Sequence, residues 1–79
     1  MSNSMPIQEK VGLNIQHIRQ EASLTQEVVA RRARINTNTL AKIERGVQTP
    51  SLQKLEAIAK ALDVEEKTFF DFKRLPTSP

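Results

Sequence analysis

Residues 24–46 read Leu-Thr-Gln-Glu-Val-Val-Ala-Arg-Arg-Ala-Arg-Ile-Asn-Thr-Asn-Thr-Leu-Ala-Lys-Ile-Glu-Arg-Gly, and this stretch decides the fold. Thr25 is a candidate N-cap, because its hydroxyl can accept from an amide that the first helical turn leaves unpaired. A helix follows from Gln26 to about Ala33, with Val29, Ala30 and Ala33 on its apolar side. Arg34-Ile35 makes a tight turn, and Asn36 is the next cap. A second helix runs from Thr37 to about Arg45, with Leu40 and Ile43 facing inward. Gly46 stops it in the left-handed conformation that glycine adopts without penalty.

So short a connection forbids antiparallel packing of the two helices. They must cross steeply, which is helix-turn-helix geometry. The outward face of the second helix carries Thr37, Asn38, Ala41, Lys42 and Arg45. Short polar, small and basic side chains of this kind can reach base edges and phosphates in a major groove.

The flanks complete an all-α domain. Upstream, Ile7, Val11, Ile15, Ile18 and Ala22 repeat at helical spacing, predicting a helix over about 7–22 that starts after Pro6. Ser23-Leu24 turns the chain, with Leu24 as a core plug. Downstream, Ser51 caps a fourth helix expected to bury Leu52, Leu55, Ile58, Ala59 and Leu62. A fifth, short helix is expected over about 65–72. It holds Phe69, Phe70 and Phe72, which cannot all face inward; Phe69 and either Phe70 or Phe72 fill the core. Residues 1–6 and 73–79 read as tails on one domain, 7–72. No window alternates like a strand.

Charge is concentrated in the same stretch. The chain of 79 residues carries +3 in all. Residues 1–30 net −1 and residues 46–79 net zero, while residues 31–45, with Arg31, Arg32, Arg34, Lys42 and Arg45 against Glu44, net +4. Such a block is the footprint expected for a polyanion, although a solvated basic face would look the same. The chain has no cysteine and one histidine, so disulfides, thiolate metal sites and histidine-built zinc sites drop out. His17 reads as an edge residue. Gly12 and Gly46 are too far apart for a phosphate-cradling loop. No run approaches a membrane span, and no apolar signal segment is visible. The expectation is a soluble, intracellular binding module without catalytic spacing, cofactor or metal.

Leu24-Thr25-Gln26-Glu27, Ala30, Ile35 to Leu40, Ile43 to Gly46 and Thr49-Pro50-Ser51-Leu52 together resemble the lambda-repressor-like helix-turn-helix family, also called Xre or Cro/C-type repressors. Leu55, Ile58 to Leu62 and Phe69-Phe70 extend the match over about residues 8–72. The small size and Phe-rich end also resemble controller proteins of restriction-modification systems. The resemblance implies a compact five-helix DNA-binding domain and a cytoplasmic, nucleoid-associated transcription regulator, most simply a repressor. Its partners would be double-stranded DNA and a second copy of the chain, with no membrane and no small-molecule effector domain. An antitoxin with autoregulatory DNA binding is the alternative, disfavoured by the seven residues after Phe72.

By the same resemblance, Gln26 contacts the DNA backbone and braces the recognition helix. Thr37, Asn38 and Lys42 read bases, and Ala41 faces the groove. Asn38 would pair with adenine, and Lys42 with guanine or a phosphate. Thr39, Arg45, Gln48 and Arg34 are expected at phosphates, with Thr49 nearby. Arg19 and Glu44 are expected to form a structural ion pair. Phe70 and Phe72 are candidates for a dimer interface. Ser23, Arg34 and Asp63 stand where the family usually has glycine; a non-glycine residue in a left-handed turn costs about 1–2 kcal/mol, and Asp63 tolerates that geometry better than most. Val28 replaces a commonly polar residue.

Overall fold

The computed structural model describes residues 5–74; the remainder of both expected tails, 1–4 and 75–79, lies outside the described residues. Four α-helices follow one another: α1 Ile7–Glu21, α2 Gln26–Ala33, α3 Thr37–Arg45 and α4 Leu52–Leu62. Two short 3-10 turns, Glu66–Phe70 and Phe72–Arg74, close the described chain, which contains no strand.

Local chemistry starts and stops each helix. The Thr25 hydroxyl accepts from the Val28 amide at 3.1 Å, Asn36 Oδ1 from the Asn38 amide at 2.7 Å, and the Ser51 hydroxyl from the Lys54 amide at 3.1 Å. Each cap contributes about 1 kcal/mol. The four helices end alike. A residue with positive φ (Ser23, Arg34, Gly46 and Asp63) turns the chain. The next amide then reaches back to a last-turn carbonyl: Leu24 to Arg19, Ile35 to Ala30, Val47 to Lys42 and Val64 to Ala59. This is the Schellman arrangement, in which the residue after the turn is commonly apolar. Leu24, Ile35 and Val64 tuck against the core, while Val47 stays exposed.

The core unites the elements. Val11, Ile15 and Ile18 of α1 meet Val29, Ala30 and Ala33 of α2, Leu40 and Ile43 of α3, and Leu55, Ile58, Ala59, Ala61 and Leu62 of α4. α1 lies across α3, and α2 packs on α4. The α1–α3 crossing depends on Gly12: a Cβ there would collide with the backbone carbonyl oxygens of Ile43 and Glu44.

Two expectations for the core are corrected. Ile7 and Leu52 lie on the expected apolar faces, yet they are 58% and 82% exposed. Both are the first residue of their helix, one turn before the neighbouring helix packs on that face. Ala22, beyond the end of α1, is also exposed. The expected fifth helix is a 3-10 turn that Asp71 interrupts before Phe72. Phe69 is fully buried, Phe72 packs against the core beyond the interruption, and Phe70 points away, 44% exposed.

Candidate nucleic-acid interface

α3 divides into two faces. Leu40, Ile43 and Glu44 are buried. Asn38, Lys42 and Arg45 are exposed and Ala41 is half-buried, and these four sit at i, i+3, i+4 and i+7, a single stripe along the helix. Thr37 begins the stripe beside Ala41, and Thr39 lies at its border; both are half-buried. The Asn36 cap uses the backbone amide of Asn38, so the Asn38 side chain is not consumed in starting the helix.

What fixes the pitch of this stripe is behind it. The Glu44 carboxylate receives Arg19 Nε at 2.7 Å, Arg19 Nη2 at 3.0 Å and Gln26 Nε2 at 2.9 Å. Arg19 Nη1 also donates to the Leu24 carbonyl at 2.8 Å. One carboxylate on α3 is thereby tied to α1 and to the first residue of α2, and the same guanidinium holds the turn between them. The side chains of Arg19 and Glu44 are 11% and 1% exposed. A bidentate pair this deep is geometrically specific, and removing one partner costs about 3–5 kcal/mol.

Gln26 thus has a bonded role that its residue type alone could not disclose. One Nε2 hydrogen goes to Glu44; the second remains for an acceptor at the N-terminal end of α2, where backbone amides favour an anion. Gln48 is half-buried and Thr49 exposed in the loop after α3. Arg34 is exposed, at φ 60° in the turn between α2 and α3. It lines a shallow cleft with Asn36, Ser51 and Lys54. Lys54 was not anticipated there, because only the fold brings the starts of α3 and α4 together. Arg32 faces elsewhere, with Nη1 3.5 Å from the Ala61 carbonyl on α4. Arg32 is thereby drawn toward α4 and not into the α3 stripe. Among the described residues no cluster of histidine and carboxylate side chains could hold a metal ion.

A separate apolar surface gathers around the 3-10 turns. The Phe70 and Phe72 rings meet edge to face at 6.2 Å, and Lys10 Nζ lies 5.1 Å from the Phe72 ring centre. Phe70 borders an apolar hollow of about 130 Å³ with Ile7, Val11, Pro50 and Leu55. Leu52 and Phe70 both line a neighbouring cleft with Leu55, Glu56 and Glu66. Ile7 and Leu52 belong to this surface, and their helical periodicity had disguised them as core.

Two short helices joined through the Arg34–Asn36 turn, a braced second helix and a polar, basic stripe define a helix-turn-helix module. The Helix-turn-helix family model matches residues 15–69. The chain belongs to this helix-turn-helix family, in its lambda-repressor-like (Xre) branch of DNA-binding transcriptional regulators. It is 46% identical over 55 residues to the immunity repressor protein of Bacillus phage phi105, covering 70% of this chain but only 38% of that longer protein. It is 37% identical over 60 residues to the HTH-type transcriptional regulator y4dJ of Sinorhizobium fredii, covering 76% of this chain and 78% of that one. Among solved structures it is similar to the restriction-modification controller protein C.AhdI of Aeromonas hydrophila, with TM-score 0.78, 28% identity, and 80% and 96% of the two chains covered. The controller protein C.Esp1396I is similar to the same degree, with TM-score 0.77, 31% identity, and 86% and 88% covered. The clp gene regulator ClgR of Corynebacterium glutamicum shares the fold, with TM-score 0.85 at 20% identity and 89% and 74% covered.

Proposed function

We propose that the chain is a sequence-specific repressor that acts as a homodimer, each subunit placing α3 in a major groove of a pseudo-palindromic operator. The observation that carries this reading is the exposed stripe Asn38, Ala41, Lys42 and Arg45 on a helix whose pitch is set from behind by Glu44. A recognition helix must be held rigidly, since a base edge is read only by side chains placed to within a fraction of an ångström.

In this reading Thr37, Asn38 and Lys42 contact bases, with Ala41 against the groove floor. Gln26, Thr39, Arg45, Gln48 and Arg34 contact phosphates and set the register. Gln26 serves both purposes, because the hydrogen it spends on Glu44 couples its phosphate contact to α3. Phe70, with Phe72 behind it and Ile7 and Leu52 beside it, supplies the surface between subunits. Repression follows from occluding a promoter. The chain works in the cytoplasm on nucleoid DNA, as a binding module and not as an enzyme, and needs no cofactor. The relatives named as a phage repressor and as transcriptional regulators support this direction.

Selection of random duplex DNA by the purified chain at near-physiological salt tests the proposal. A two-fold symmetric motif is expected, with half-sites about 34–36 Å apart or a multiple of that. Recovery of no motif, or binding that vanishes uniformly with salt, would leave only an electrostatic surface and remove the proposal.

A further inference from the structure

Asn14 sits on α1, far in sequence from everything it touches. It is fully buried, and its Nδ2 donates to two backbone carbonyls, Phe69 O at 2.9 Å and Asp71 O at 3.2 Å. Its Oδ1 is also buried and has no hydrogen-bond partner among the described residues. An apolar side chain at this position would avoid that orphaned acceptor. What the amide gives in return is local. The two carbonyls it captures bracket the dipeptide Phe70-Asp71.

Phe70 is the ring that leaves the core. Phe69 is buried on one side of it, and Phe72 packs behind it under Lys10, the residue one helical turn before Asn14. The last 3-10 bond runs from the Asp71 amide to the Thr68 carbonyl at 3.2 Å, after which Asp71, with φ −87° and ψ 87°, breaks the geometry. The clamp from α1 secures the backbone where that turn stops. It holds the peptide group before Phe70 and the one after Asp71, and so limits where the ring stands relative to Ile7, Val11 and Leu55 of the apolar hollow.

We infer that Asn14 is a positioning residue for self-association: by gripping the Phe69 and Asp71 carbonyls it presents Phe70 to a second copy of this chain. This rests on the reading of the Phe70 surface as the contact between subunits. The partner is a second copy because exposed Leu52 and Phe70 stand on the same face as an apolar hollow, and a two-fold contact pairs one patch with itself, so that side chain and hollow can complement each other.

Sedimentation equilibrium of the full chain tests it, on the wild type, Asn14→Ser, Asn14→Leu, Phe70→Ala and the double variant Asn14→Ser/Phe70→Ala. Phe70→Ala and each Asn14 variant are expected to raise the dimer Kd at least about tenfold, or about 1.4 kcal/mol. The double variant is expected to be no weaker than Phe70→Ala alone, because Asn14 acts through Phe70. A merely structural Asn14 would give additive losses instead. Hydrogen exchange on the wild type gives a second reading that needs no variant to fold. The Phe70 and Asp71 amides should be protected, increasingly so as concentration rises through the dimer Kd. Free exchange at both, with α1 protected, would overturn the inference. So would a dimeric wild type whose Kd neither Asn14 variant changes, and that outcome leaves the subunit contact standing. A wild type that remains monomeric at every concentration removes the contact itself, and the inference with it.

Discussion

Glu44 shows how much one residue can settle. It stands on α3 beside Arg45, yet the two part company: Glu44 turns into Arg19 and Gln26, Arg45 to solvent. Glu44→Gln keeps the shape and removes the charge, which leaves the Arg19 guanidinium buried without its counter-ion. Unfolding in urea should show a loss of about 3–5 kcal/mol. Lys42→Ala, on the exposed stripe, should leave stability within about 0.5 kcal/mol while weakening operator binding. Asn38→Ala separates reading from positioning. If Asn38 reads a base, binding falls by about 1–3 kcal/mol on the selected operator, and preference relaxes at one position of the motif. An equal loss on every sequence would assign Asn38 to phosphate.

At the scale of the elements, the turns are where the sequence spoke most and least clearly. The α2 and α3 boundaries were legible because Thr25, Asn36 and Gly46 are chemically suited to caps and stops. Arg34 was legible only as a departure, and its φ of 60° makes it testable. Arg34→Gly relieves a left-handed side chain and should raise the unfolding free energy measured in urea by about 1 kcal/mol. If Arg34 also meets a phosphate, the same substitution should lower the slope of log affinity against log salt by about 1. Opposite signs for stability and DNA binding would mark a residue kept for function at a structural cost; unchanged salt dependence would leave Arg34 as a strained surface residue. Periodicity misled at Ile7 and Leu52, because the helical repeat continues into a first turn that no neighbour covers. It could not assign Phe70 and Phe72, because Asp71 interrupts the helical repeat between them. The Asn14 clamp and the Gln26–Glu44 bond join residues 55 and 18 positions apart, so no local pattern could show them.

For the molecule as a whole, the stripe on α3 and the apolar surface around Phe70 involve different residues, so assembly and reading can be separated by substitution. Leu52 is the best place to do so. It is 82% exposed and is the first residue of α4, just after the Ser51 cap. An aspartate there loses no core contact and favours the helix dipole, so the monomer should keep its stability within about 0.5 kcal/mol. Across a two-fold contact, however, Leu52→Asp buries a charge against an apolar hollow. The dimer should then dissociate, and the concentration dependence of Tm that a dimer shows should disappear. DNA binding gives the sharper contrast. Two linked recognition helices gain about 10²–10⁴ in affinity over one, without any new contact, when both half-sites are engaged. Leu52→Asp should therefore lose most of that factor on a full operator while binding a half-site duplex as the wild type does. Equal losses on both duplexes would place Leu52, at the end of the loop that follows α3, against the DNA and not against a second subunit.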